Sequence, residues 1–408
     1  MLNPFRHHRM KTNKYFGLDR NIFFTGLTSF FTDTSTKMVY SVMPLFLLSI
    51  GASKTTLSLI EGIAESTASL LKAFSGFWSD KIGRNKPFMI LGYGLTALIT
   101  PIYAFVRTPM QVLVFRFVER IGKGIRTAPR DSLISGSVKE NETGKSFGFH
   151  KAMDNSGAIV GPLFAFVLLS LFPLNFDYIF LIATIPAVLG VLTIVFLIKE
   201  KRVGITLPQE KFTFKKLPRK FYLFLIIIFV FALGNSTDAL LLVKTSETGI
   251  KQSFIPFIYM IFNTVSVLLA IPIGKLSDKR GRGKLIILGF LIYALVYFLF
   301  GAFHSIKVFI FAFVLYGFYS ALTDSCQKAM ISDLVDKEVK GTGFGIYHAV
   351  LGITLLPASI IAGLLYDRVN SSAPFYFGAA MALLAACFMI VFVVYFKKQQ
   401  AEAGPRFF

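Results

Sequence analysis

The chain has 408 residues, of which 54% are hydrophobic, 46 are phenylalanine and only 16% are charged, giving a mean hydropathy of +0.64. Soluble domains carry about 25% charged residues, so this composition excludes an ordinary water-soluble fold and names lipid as the solvent. The formal net charge of +21 would suit nucleic acid if it lay on one soluble face, but the basic residues fall between apolar runs, and nucleic acid is not expected as a partner.

In chain order, Arg6, Arg9, Lys11 and Lys14 precede an apolar run that begins near Ile22. That run is too long for a signal-peptide core and no small-residue cleavage pattern follows it, so it reads as a retained first helix. A membrane-spanning helix needs about 20 mostly apolar residues. Twelve such spans begin near positions 21, 55, 87, 109, 144, 177, 221, 253, 284, 307, 341 and 374. The sixth and seventh are separated by the long linker KEKRVGITLPQEKFTFKKLPRKF, with eight Lys/Arg. The expected architecture is an all-α integral membrane protein. A six-helix bundle covers 1–198, a basic cytoplasmic linker 199–220, and a second six-helix bundle 221–408.

The loops after even-numbered spans, together with both termini, hold nearly all the surplus Lys/Arg. The opposite loops hold few: Lys54, Arg107, Lys307 and Arg368, with Lys244 and Lys251 near the outer end of the seventh span. The positive-inside rule then puts both termini in the cytoplasm, and the basic linker is placed to touch anionic lipid. Cys326 and Cys387 both sit in apolar runs, so neither a disulfide framework nor zinc or thiol chemistry is implied.

The sequence repeats itself. GFWSDKIGRNK (76–86) and GKLSDKRGRGK (274–284) agree at seven of eleven positions, and GKSFGFHKA (144–152) resembles GTGFGIYHA (341–349) at nearly the same offset. TDTSTKM (32–38) aligns more weakly with LGNSTDA (233–239), setting Lys37 opposite Asp238. Six spans per half give both halves one orientation, the parallel repeat of a transporter whose site lies between two bundles.

The repeated loop resembles the signature G-x-x-x-D-x-x-G-R-[KR] of the major facilitator superfamily. It is met by Gly76, Asp80, Gly83, Arg84 and Lys86, and again by Gly274, Asp278, Gly281, Arg282 and Lys284. The resemblance covers essentially the whole chain and implies a secondary transporter working by alternating access. It also implies that the two Asp residues contact a neighbouring helix N-terminus and nearby Arg, a charge–dipole contact worth about 0.3–2 kcal/mol that biases the outward and inward states. Gly157, Gly161 and Pro162 resemble the start of the antiporter motif of facilitator-type exporters, although Ala165 and Phe166 stand where paired glycines are expected. Small residues four apart equally serve helix packing. Arg120 and Gly124 fit the R-x-x-x-G of proton-driven antiporters, with Lys123 where Gln is usual. RIGKGIRTAPRD resembles facilitator proteins of prokaryotes that have no settled substrate.

The fourth span carries seven charges between Phe115 and Asp131. At 100° per residue, Arg116, Glu119, Arg120, Lys123, Arg130 and Asp131 fall within about 120° of one another, with Arg126 at the edge. Arg126 and Arg130 read as anchors at the cytoplasmic interface. Asp33 and Lys37 share a face of the first span, Glu61, Glu65 and Lys72 one of the second, and His150, Lys151 and Asp154 open the fifth. An ionised side chain at mid-depth costs about 2.5–3.5 kcal/mol against lipid, so these residues must pair around a wet interior. The expected cavity residues are Asp33, Lys37, Glu61, Glu65, Arg116, Glu119, Arg120, Asp154 and Asp238. Lys37 and Asp238 are expected to close on one another across the cavity in the inward-facing state. Asp324 and Lys328 are spaced for a local i,i+4 pair, and a purely structural ion network remains the alternative for the charges of the first half.

No G-x-x-x-x-G-K-[ST] loop supports ATP drive, no nucleophile–base pair supports an enzyme, and no metal site or cofactor is expected. Buried carboxylates beside Arg and Lys suit proton coupling, because desolvation and neighbouring cations act on them in opposite senses. The expected function is proton-coupled export (efflux by antiport) of a small solute by a monomer in a prokaryotic cell membrane. Alternatives are proton-coupled uptake of a small anionic metabolite and, through His150 and His348, export of a transition metal. A facilitator fold that no longer transports, acting as a receptor or scramblase, would show no gradient dependence.

Overall fold

The computed structural model describes residues 14–16, 18–82, 84–137, 143–200, 217–335 and 340–403. The side chains at 14, 73–82, 143–144, 278, 325, 340–341 and 397–403 lie outside the described residues. Two short antiparallel strands, β1 (Lys14–Tyr15) and β2 (Leu18–Asp19), lead into α1 (Arg20–Ser49), where the Asp19 carboxylate accepts from the Asn21 amide at 2.9 Å. The first half continues through α2 (Lys54–Ile82), α3 (Lys86–Ile102), α4 (Pro109–Ser135), α5 (Thr143–Leu171) and α6 (Phe176–Leu197). The second half comprises α7 (Arg219–Gly234), α8 (Asp238–Ser246), α9 (Phe254–Arg280), α10 (Arg282–Ala302), α11 (Ile306–Leu334), α12 (Lys340–Arg368) and α13 (Ala373–Ala403).

The protein is thus all-α, with two parallel six-helix bundles, but the seventh span is two helices rather than the one expected. Asn235, Ser236 and Thr237 favour side-chain-to-backbone bonds over a helix interior. Thr237 caps the restart by accepting from the Ala239 amide at 3.3 Å. In lipid a broken helix must have its freed polar groups satisfied. Tyr293 Oη donates to Gly234 O at 3.0 Å, Ser236 Oγ meets Tyr297 Oη at 3.2 Å, and Asn235 Nδ2 donates to Tyr319 Oη at 3.5 Å.

Among the described residues nine helical stretches are long and apolar enough to cross a membrane. The remaining long helices, α1, α2 and α4, carry Asp33, Lys37, Glu61, Glu65, Arg116, Glu119 and Arg120. The fourth helix is inverted relative to a soluble one: Arg116, Glu119, Arg120 and Arg126 are buried, while Val114 and Phe117 are 51% and 41% exposed. Its apolar face is the exposed one and its charged face is turned toward the other helices, which is the lower-cost arrangement when lipid is the solvent.

Within the first half α1 packs on α5 and α6, α2 on α4, and α3 on α4 and α6. Within the second, α10 packs on α11 and α13, and α11 on α9. The halves meet where α2 lies along α12 and α5 against α9. The α1–α5 crossing is close because two glycines permit it. A Cβ at Gly157 would sit 2.5 Å from Phe30 O, and one at Gly161 would run into Thr34 O.

Candidate functional site

A cavity of about 920 Å³ lies between the halves. Asp33, Lys37, Glu61, Glu65, Glu119, Arg120, Asp154 and Asp238 line it, as expected residues brought together from α1, α2, α4, α5 and α8. Arg116 is the exception. Only 1% exposed, it stands behind the wall, with Nε and Nη2 each 3.0 Å from the Glu61 carboxylate and Nη1 3.0 Å from Glu119. Tyr103 Oη donates to the same Glu119 at 3.0 Å. That knot has the character of the structural network considered above: its charges are paired, and although Glu61 and Glu119 reach the cavity wall all three side chains are almost wholly buried.

Nearer the cavity, Arg120 Nη1 lies 2.9 Å from Glu65, and Lys123 4.0 Å from the same oxygen. Lys151 pairs with Asp154 at 3.0 Å, Ser29 donates to Asp154 at 3.2 Å, and Arg130 pairs with Asp131 at 2.8 Å. Asp33 differs from these carboxylates. It forms no ion pair with Lys or Arg among the described residues, and it lines the cavity with Asp154 where α1 packs on α5.

Arg126 corrects the sequence-based expectation. Rather than anchoring at an interface it is buried, stacks 4.2 Å from the Tyr93 ring centre, donates to Thr96 Oγ1 at 2.7 Å and lines the cavity. The polar stripe of α4 therefore stays turned toward protein and cavity as far as Arg126.

The second half offers a polar aromatic wall. Tyr259, Phe262 and Tyr316 line the cavity with ring centres successively 5.6 and 4.9 Å apart. Lys37 and Asp238 do not form the expected ion pair. Lys37 Nζ donates to Tyr259 Oη at 3.0 Å, and Tyr316 Oη donates to the Asp238 carboxylate at 2.7 Å. Asp324 accepts from Ser320 at 3.3 Å and forms no ion pair with Lys328 among the described residues, so the expected i,i+4 bridge is not made. Lys244 is fully buried away from the cavity, held by Ser371 Oγ at 2.7 Å and near His304 Nε2 at 3.4 Å.

The cavity extends toward the ends of α2, α4, α5 and α11 that adjoin the basic loops, where Lys72, Arg130, His150 and Lys328 line it. The opposite end is shut. Lys54 pairs with Glu247 at 3.8 Å and the Thr55 amide donates to Asp367 at 2.8 Å. Phe166 sits with ring centres 5.3 Å from both Phe254 and Phe257. The departure from the antiporter motif at Phe166 thus has a use in closing this end. Gly124 likewise serves packing, since a Cβ there would meet Leu71 Cβ at 2.5 Å. Pro162 lies within α5 without ending it.

Gly83, and the side-chain surroundings of Gly76, Asp80 and Asp278, lie outside the described residues. Of the rest of the loop motifs, Arg84 is exposed, and Lys86 Nζ caps α6 by donating to Val195 O at 2.8 Å and Ile198 O at 2.7 Å. The α3 N-terminus is capped by Glu200, whose carboxylate accepts from the Asn85 and Lys86 amides at 3.1 Å each. In the second copy, Gly274 has open space around it and Gly281 turns the chain at φ 88°. Arg282 binds the Asp333 carboxylate and the Ala329 carbonyl on α11. Among the described residues no group of three or more His, Cys, Asp or Glu is placed to hold a metal ion.

Two six-helix bundles enclosing a charged cavity that opens toward one end define a multi-pass membrane transporter rather than an enzyme. The chain belongs to the Major Facilitator Superfamily, whose family model matches residues 25–245 and 223–406. It is 33% identical over 385 residues to an uncharacterised MFS-type transporter of Methanocaldococcus jannaschii, covering 91% of this chain and 95% of that one. It is 25% identical over 397 residues to the uncharacterised MFS-type transporter YuxJ of Bacillus subtilis, covering 93% and 100%. In fold it is similar to a POT family transporter solved with 5-aminolevulinic acid, at a TM-score of 0.78 and 15% identity, covering 93% and 97% of the two chains. It is also similar to a bacterial homologue of the lysosomal transporter Spinster in an inward-facing conformation, at a TM-score of 0.72 and 14% identity, covering 93% and 97%.

Proposed function

We propose that the protein is a proton-coupled antiporter that exports a small solute by alternating access, as a monomer in a prokaryotic inner membrane with both termini cytoplasmic. Residues 1–198 and 221–408 are the two rocking bodies and 199–220 their tether. The observation that carries proton coupling is Asp33. It is a cavity carboxyl that no Lys or Arg pairs with among the described residues, and it shares the α1–α5 side of the cavity with Asp154. Facing carboxyl groups hold together through a shared proton and separate when it leaves, so protonation acts on the α1–α5 contact directly. Asp33, more than the doubly paired Glu65, is the coupling group. The partial antiporter motif and Arg120–Gly124 support export. So does a partial match, 26% identical over 141 residues, to a Lactococcus lactis protein named a multi-drug resistance efflux pump homologue.

The basic loop distribution supports the orientation, and relatives in an archaeon and a bacterium support a prokaryotic membrane. Uptake of a small anion is the second reading, favoured by Arg126, buried in the cavity wall with no carboxylate partner among the described residues. Flux through proteoliposomes under an imposed pH gradient, over a chemically broad panel, tests both. Antiport requires solute to move opposite to protons, whereas co-directional movement selects uptake. Asp33→Asn should stay folded and still exchange solute, yet ignore the gradient. Wild-type flux that is indifferent to pH gradient contradicts proton coupling altogether.

A further inference from the structure

Lys37 and Asp238 occupy equivalent registers in the two sequence repeats and so project from the two halves toward one cavity. Opposite charges so placed would be expected to pair, and they do not. Each is instead held by a neutral phenol: Lys37 by Tyr259 at 3.0 Å and Asp238 by Tyr316 at 2.7 Å. A phenol orients a charge without cancelling it. The lysine ammonium has three donors and spends one, and the carboxylate has about four acceptor sites and spends one. Lys37 and Asp238 therefore face the cavity from its two walls, each without an ion-pair partner among the described residues.

Between them runs an aromatic surface. The rings of Tyr259, Phe262 and Tyr316 are spaced 5.6 and 4.9 Å, and Lys37 Nζ also lies 5.4 Å from the Tyr40 and Tyr259 ring centres. A purely anionic solute would satisfy Lys37 and be repelled by Asp238, and a purely cationic one would do the reverse. Discrimination of this kind works by leaving a charge unpaired in the wrong complex.

Resting on the transporter reading above, we propose that the solute is a small zwitterion with an apolar or aromatic body. Its anionic end lies on Lys37 and its cationic end on Asp238, with the body along Tyr259, Phe262 and Tyr316. The ring spacing suits charges separated by several bonds better than the adjacent charges of an α-amino acid. Because Lys37 belongs to the first half and Asp238 to the second, such a solute also bridges the two bodies that must move.

The test is a binding titration with full-length protein in detergent, without any gradient. Its probes are aromatic ω-amino acids of increasing chain length, each with its N-acetyl and carboxamide derivatives. The proposal expects at least one zwitterion to bind, with either cap weakening it about tenfold or more, the loss of a charged hydrogen bond. Lys37→Gln should abolish discrimination between carboxylate and carboxamide but keep that between amine and N-acetyl; Asp238→Asn should do the opposite. Wild-type protein that binds no probe, or binds all three forms alike, overturns it. So does a variant that loses both discriminations together. Since binding is read without protons being driven, a zwitterion bound but not carried by a pH gradient would count against antiport and leave the solute class standing.

Discussion

Arg116 and Asp33 lie on the same charged face of the first bundle, yet their environments set them different tasks. Arg116 is bonded on both sides by Glu61 and Glu119 and is sealed from water. Removing one partner of a buried ion network leaves charge without compensation and costs about 3–5 kcal/mol. Arg116→Met is therefore expected to collapse thermal stability in detergent, in parallel with loss of folded protein on size-exclusion chromatography. Arg120→Met should cost clearly less, because its partner Glu65 is 36% exposed on its side chain and retains Lys123. If the two substitutions destabilise equally, Arg116 is not the structural member of the set. Asp33→Asn removes no ion pair, so its melting temperature should stay close to wild type while its gradient response disappears.

At the scale of elements, the α1–α5 crossing is the tightest test of packing. Gly157→Leu or Gly161→Leu puts side-chain atoms into the α1 backbone, where nothing can give, and should lower the melting temperature sharply or prevent insertion. Gly94→Ala, with open space around its Cβ, is the matched control and should be neutral. Helix count, bundle symmetry and the inward stripe of α4 were legible in the sequence because lipid makes charge expensive and the helical period then fixes which face carries it. The break at Asn235–Thr237 was not legible, since three polar residues vanish within a long apolar run. Its stabilising partners, Tyr293, Tyr297 and Tyr319, come from α10 and α11 and reach it only in the fold. Phe262 was hidden for another reason: among 46 phenylalanines no spacing marks the one that faces a cavity. The burial of Arg126 was not legible because its partners, Tyr93 and Thr96, come from α3 and meet it only in the fold.

For the whole molecule, closure at the end opposite the basic loops depends on a few separable contacts. The Lys54–Glu247 pair is about one-third exposed on each side chain. Such pairs are worth roughly 0–1 kcal/mol, so Lys54→Ala alone should shift the balance of states only slightly. Phe166→Ala removes aromatic packing against both Phe254 and Phe257 and should open that end more. Spin-label distances between Ser53 and Ser246, each replaced by cysteine in a background lacking Cys326 and Cys387, would lengthen in Phe166→Ala and scarcely change in Lys54→Ala. Identical distance distributions in both variants would show that the plug does not hold the end shut. Beneath all of this lies the claim that the charged faces surround water rather than lipid. Asn155 lines the cavity on α5, so Asn155→Cys in the same cysteine-free background tests it most directly. A membrane-impermeant maleimide supplied on the side of the basic loops should label it quickly. Labelling only by a reagent dissolved in the bilayer would contradict the account.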